Sequence, residues 1–329
     1  MVGSTEADNK GLGEGVECQL FSPASETSIK EVPTNNHRKG IVAFLLIAFG
    51  MAWAFWEISI RLGGSHKSPL LAVLAFVGAF SPAVAAFIVR KWITHEGFAD
   101  AKLRLNLRKW PYYLVGWLLP FVVVGCITLV APLFGFGRAD FSLTRGINYM
   151  IQMGVPASKL AHPFLLVAIW PIQAIFVAPI LFGEEFGWRG YLQPRLFPQS
   201  PVLSAVVTGI IWAYWHLPLN LRGGNFPDDP RLGALVMFPV GAILLSIIFG
   251  WLVLKTGSIW SSSLAHAATN SIGGGLFVIL FGGGANFLFV SYVGLLGWIP
   301  LGVLSAWIVL TGQLSAATEK TNIATAAVR

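Results

Sequence analysis

Gly183-Glu184-Glu185-Phe186-Gly187-Trp188-Arg189-Gly190 places two adjacent carboxylates directly behind Ile175 to Phe182, a run without a single charge. Phe164-Leu165-Leu166-Val167-Ala168-Ile169-Trp170, further upstream, is equally uncharged. A charge near the middle of a membrane helix costs roughly 2.5–3.5 kcal/mol on insertion scales, and residues that bear it are kept for function. Two neighbouring carboxylates add like-charge repulsion, so one ionises less readily than the other. Arg189 stands four residues after Glu185, on the same helical face, where it can neutralise that partner. Glu184 points about 100° away and is free to face another group.

Working outward, the composition fits the same setting. Of 329 residues, 55% are hydrophobic and 11% charged, against about 25% charged in an ordinary soluble domain. Uncharged runs of about 18 or more residues recur, the pattern of an all-α polytopic membrane protein. The net charge of +7 is read through the positive-inside rule. No basic cluster is interleaved with stacking aromatics, which excludes a nucleic-acid surface. Cys18 lies in a polar tail and Cys126 in an apolar helix, so neither a disulfide nor a zinc knot is expected. No signal peptide, myristoylation site or prenylation box is visible.

Residues 1–39 read as a disordered polar tail, 40–312 as one membrane domain and 313–329 as a short C-terminal tail. About eight transmembrane helices are expected: Ile41 to Leu62, Pro69 to Ile93, Tyr112 to Phe134, one from Pro163, Val202 to Leu217, Gly233 to Leu254, Ile259 to Phe281 and Phe287 to Leu310. Glu57 and Arg61 read as an intrahelical salt bridge. Ala101 to Trp110 alternates basic and apolar residues, as a strand-like or interfacial stretch would. Gly135 to His162 reads as a long polar connection, and Pro171 and Pro179 as breaks that loosen the helix before the glutamates. Arg90, Lys91, Lys102, Arg104, Arg108 and Lys109 form the richest basic cluster, so the even-numbered connections and both termini are assigned to the cytoplasm.

Among six histidines, His37, His66, His95 and His162 lie in polar connections or at a helix edge, whereas His216 and His266 belong to apolar segments. Trp212 lies one turn before His216. His266 and Asn270, four apart, share a face that also includes Ser262. Glu184 and His216 are equally distant from the turn at Ser200, so in an antiparallel hairpin they lie at equal depth and can meet. Gly183 and Gly187 form a small-residue ridge that lets a neighbouring helix come close. Taken singly, these features have plain structural explanations: a solvated charged face, a packed histidine, interhelical glue. Together, in an apolar setting, they point to one site.

Glu184-Glu185-x-x-x-Arg189, an aromatic one turn before His216, and His266-x-x-x-Asn270 resemble the CPBP family, the CAAX proteases and bacteriocin-processing enzymes also called Abi. That family includes the type II CAAX prenyl endopeptidases. The resemblance covers roughly residues 160–275, and Trp212 stands where the family often has Phe. It implies an intramembrane endopeptidase acting on a membrane-tethered polypeptide, of CAAX (prenylated) or leader-peptide type, within the lipid bilayer. Glu184 and His216 would activate water, His266 and Asn270 would hold the oxyanion, and Glu185 and Arg189 would support them. Ser262 would be polar lining.

The resemblance further implies a multi-pass protein of a bacterial plasma membrane or the endoplasmic reticulum, with a cavity open to the cytosol. No cofactor is expected; the alternative is zinc on Glu184, His216 and His266, although the His-Glu-x-x-His helix of zincins is missing. The competing functions are a proton-coupled transporter, since Glu and His also build relays, and a catalytically silent immunity or scaffold protein. No inverted halves appear, which counts against the transporter.

Overall fold

The computed structural model describes residues 34–63, 69–160 and 162–315. Residues 1–33 and 316–329 of the two expected tails, with Cys18 and His66, lie outside them, and Thr34 to Lys39, expected as tail, belong to the first helix. Among the described residues every regular element is helical. All eight apolar segments form helix, but five are long and apolar enough to cross a membrane, or six when the second is counted as one bent span. The first segment is Thr34–Arg61. The second comprises Pro69–Ala79 and Ser81–Ile88, bent by 51° at the break. The third is Trp110–Val130, and the fourth Pro163–Gly187 continued by a π-helical turn, Trp188–Leu192.

The fifth segment, Pro201–Trp215, has 15 residues, or ~22 Å at 1.5 Å per residue, short of the ~30 Å hydrocarbon core. It stops at His216 because Pro218, within the next turn, has no N–H to donate back. The sixth is Phe238–Thr256 entered through a π-helical turn at Gly233–Met237. The seventh, Ile259–Ala268 and Gly274–Phe281, is joined by another such turn at Thr269–Gly273. The eighth is interrupted: Phe287–Val290, then Trp298–Leu310.

Three local expectations need correction. Ala101 to Trp110 forms no strand; it runs irregularly into a 3-10 turn at Leu107–Lys109. Its backbone and Asn106 are tied instead to the sixth and seventh segments, through Asn106 Nδ2 to the Thr256 carbonyl (2.7 Å) and Ile259 N to the Lys102 carbonyl (3.0 Å). The connection after the third segment contains a helix, Thr144–Gln152. Pro171 and Pro179 lie inside an unbroken helix, as membrane helices tolerate when packing resupplies the lost bond. Glu57 pairs with Arg61 at 3.5 Å as expected, and more closely with Arg222 at 2.8 Å.

Contacts between connections define two faces. On one, Asp100 meets both Arg90 (2.7 Å) and Arg195 (2.9 Å), joining the connections after the second and fourth segments. Gly40 lies against Tyr191 and Thr94 there, and Leu314 lines a small cavity with Lys102, Pro194 and Phe197, so both described chain ends are on this basic face. On the other, Asp140 N donates to the Leu280 carbonyl (2.8 Å) and Phe287 N to Asp228 Oδ2 (2.6 Å). The connections after the third, fifth and seventh segments therefore share the opposite face.

Candidate active site

The double-glutamate stretch occupies the last turn of the fourth segment and its π-helical continuation, where everything from Gly183 to Leu192 is buried. Gly183 faces Phe80 and Gly187 faces Pro82, so closely that a Cβ at either would overlap them. The small-residue ridge does admit a neighbour, but it is the second segment at its bend rather than the fifth. The fifth packs chiefly on the sixth and the fourth on the seventh. The tight Glu184–His216 hairpin is thus absent.

Arg90, fully buried, anchors the π-helical turn. Its Nη2 donates to the Gly190 carbonyl at 2.8 Å while Nη1 and Nη2 clamp the Asp100 carboxylate at 2.7 and 3.0 Å. Burial raises the Asp100 carboxyl, but the hydrogen bond and charge of Arg90, with Arg195, outweigh it and hold the group down at about 2. A carboxylate depressed below its unfolded value near ~3.9 contributes stability that is complete above that value and lost as pH falls through the folded one. The melting-temperature gap between wild type and Asp100→Asn is therefore expected to narrow as pH is lowered from about 5 to about 2. A gap independent of pH would rule out ionic anchoring.

Glu185 is fully buried and accepts from Arg189 Nη1 at 3.0 Å and from His266 Nδ1 at 3.0 Å, both on Oε1. The first bond was legible from spacing. The second joins residues 81 apart and makes a buried Arg–Glu–His chain. Because the ring gives its Nδ1–H to Glu185, its Nε2 is the nitrogen left for chemistry, and it donates when the imidazole is protonated.

Glu184 has a different partner. Its Oε2 accepts from Trp212 Nε1 at 3.1 Å. The Trp212 carbonyl accepts His216 Nδ1–H at 3.0 Å, which fixes that tautomer and leaves Nε2 as a lone-pair acceptor in the neutral ring. Asn270 sits in the π-helical turn of the seventh segment, exposed to the cavity and hydrogen-bonded to none of the described residues.

A cavity of about 590 Å³ is lined by Glu184, Trp212, His216, His266 and Asn270. Glu185 and Arg189 do not line it; they stand behind. Its lining also includes apolar side chains, Met150, Met153, Phe277 and Phe287, together with Val155, Gly223 and Asn225. Part of its lining, Met150, Met153, Gly223 and Asn225, comes from the connections after the third and fifth segments, on the face opposite the described chain ends. Sequence reading missed the wall from Thr144–Gln152, although Leu143, Ile147, Met150 and Ile151 already have helical spacing.

Residues 159–272 match the type II CAAX prenyl endopeptidase Rce1-like family. No curated protein matches the chain. The resemblance drawn from the motifs is thus borne out over this segment, and all six motif residues fall in the Rce1-like stretch. The match supports a membrane protease of CAAX type. The described arrangement gives no support to zinc on Glu184, His216 and His266. Among the described residues no group of three or more His, Cys, Asp or Glu side chains could hold a metal ion.

Proposed function

We propose that this protein is an intramembrane endopeptidase that hydrolyses a peptide bond in a membrane-tethered polypeptide, using water activated by Glu184 and His216. The observation that supports it is the meeting of an acid, two imidazoles and an amide from the fourth, fifth and seventh segments on one cavity. Glu184 takes a proton as water oxygen attacks the scissile carbonyl carbon, with His216 Nε2 holding the water. The carbonyl oxygen becomes the oxyanion and receives hydrogen bonds from His266 Nε2–H and the Asn270 amide. Collapse breaks the C–N bond, and the proton on Glu184 passes to the leaving amine. No step needs a metal or a Ser, Cys or Thr nucleophile.

The apolar lining of the cavity suits a lipid-modified or strongly hydrophobic segment, so a prenylated CAAX-type substrate is preferred over a soluble leader. Cleavage of a lipidated peptide by detergent-purified full-length protein tests the reading. Uptake of a solute into proteoliposomes without cleavage would favour the transporter.

The host membrane is a bacterial plasma membrane or the endoplasmic reticulum. With the basic face and both termini in the cytoplasm, the cavity mouth opens to the other compartment. In sealed vesicles of known orientation, a membrane-impermeant maleimide is expected to label Met153→Cys from the non-cytoplasmic side and Lys109→Cys only from the cytoplasmic side. The reverse pattern would put the mouth in the cytosol and the termini outside.

A further inference from the structure

One residue touches four groups of the site described above, Glu184, His216, His266 and Arg189. Trp212 is 3% exposed. Its indole N–H reaches Glu184 Oε2 at 3.1 Å, and its carbonyl holds His216 Nδ1–H at 3.0 Å. Its ring centroid lies 5.1 Å from that of His266 and 5.7 Å from that of His216, and the Arg189 guanidinium carbon lies 4.8 Å from it. The carbonyl contact belongs to the backbone and the ring contacts would survive with any aromatic. The N–H donor is what tryptophan alone brings.

We infer that Trp212 is a positioning residue whose indole N–H fixes the Glu184 carboxylate by one oxygen, so that the other is presented to the cavity. This rests on the proposed hydrolytic role of Glu184. Glu184 is 8% exposed, and Oε1 has no hydrogen-bond partner among the described residues. A nearly buried carboxylate with a single donor is oriented by that donor. Without it the terminal torsion, which is broad and two-fold, leaves the acceptor oxygen poorly aimed. Misplacement of a reacting group by about 1 Å can cost ~10²-fold in rate.

The test separates the donor from the ring. Replacing Trp212 with 3-benzothienylalanine keeps the bicyclic shape and puts sulfur where the N–H was; Trp212→Phe removes the donor and the second ring. Both are made in the full-length protein, in detergent, with a lipidated peptide as substrate. The benzothienyl variant is expected to lose ~10- to 100-fold in kcat with KM within about twofold, because an alignment in the transition state is lost and not substrate binding. It stays folded, with a melting temperature lowered by no more than several degrees, as the loss of one hydrogen bond to a carboxylate implies. Wild-type kcat in the benzothienyl variant, with a defect only in Trp212→Phe, would reduce Trp212 to packing and overturn the inference. A rise in KM alone would do the same.

A second measurement is independent of turnover. The infrared carboxylate band that disappears in Glu184→Gln is expected to shift in the benzothienyl variant, since its hydrogen-bond donor is gone. An unshifted band overturns the inference even if no peptide tried is cleaved. A shifted band with an inactive wild type would instead refute the hydrolase reading and leave the contact standing.

Discussion

Glu184→Gln is expected to lower kcat on a lipidated peptide by at least ~10³-fold, while leaving the melting temperature in detergent close to wild type. The amide keeps the size of the carboxylate, and its oxygen can still accept from Trp212 Nε1, so the packing around the 3.1 Å contact survives. What disappears is the group able to take a proton from water. General acid–base groups contribute ~10²–10⁴-fold, and here one group serves both proton transfers, so the upper part of that range applies. Glu184→Ala and His266→Ala are expected to be inactive too, for different reasons. The first removes the base. The second removes a donor to the oxyanion, worth ~10²–10³-fold where single donors have been removed, and also deprives Glu185 of its His266 partner. Glu184→Gln retaining activity within tenfold of wild type would end the proposal that Glu184 activates water, whatever the other variants do.

How much of this was readable beforehand depends on whether an interaction is local. Hydropathy located all eight apolar segments because burial in lipid is written residue by residue. It could not tell that Val202 to Leu217 stops short of a full crossing, since that depends on Pro218 and on the loop that follows being packed as a cavity rim. Glu185–Arg189 was legible because helical spacing alone brings positions four apart together. The Glu185–His266 bond, between residues 81 apart, depends on the seventh segment packing against the fourth, and no spacing rule reports that.

The glycine ridge shows the same limit from the other side. Gly183 and Gly187 announced a close approach, but which helix approaches is a property of the assembled bundle. Nor was the π-helical geometry at Trp188–Leu192 and Thr269–Gly273 visible: an extra residue per turn shifts Arg189 and Asn270 without altering the residue types that define their motifs. The chemistry of the site lay in short patterns, and its wiring lay in tertiary packing.

Arg189→Ala carries the largest expected effect on stability. The guanidinium is 1% exposed and its partner Glu185 is fully buried, at 3.0 Å. It also stacks against Trp212 at 4.8 Å and Phe249 at 5.1 Å. Removing one member of a buried ion pair leaves the other desolvated without compensation, which costs ~3–5 kcal/mol. The lost packing of the side chain under two aromatic rings adds to this. Glu185 would keep His266 and lose its guanidinium partner, and a single imidazole cannot replace a permanent cation. Arg189→Lys is expected to rescue little, because an ammonium neither stacks as a plane nor reproduces the guanidinium geometry.

The decisive comparison is with the double variant Glu185→Gln, Arg189→Met, which removes both charges and keeps the volume. If the single variant suffers from an orphaned carboxylate, the double variant melts well above it, as replaced buried pairs do elsewhere. If instead Arg189 matters only as a filler under Trp212 and Phe249, Arg189→Met alone is as stable as the double variant, and both melt above Arg189→Ala. Equal melting of Arg189→Ala and wild type would remove the ion pair from any account of how this helix end is held. Activity separates the two roles further, because Glu185→Gln offers His266 Nδ1–H a neutral amide oxygen in place of a carboxylate, and a hydrogen bond without that charge holds the ring less firmly. The expected state of the double variant is folded and at least ~10²-fold slower than wild type, which distinguishes a scaffold for the site from a prop for the fold.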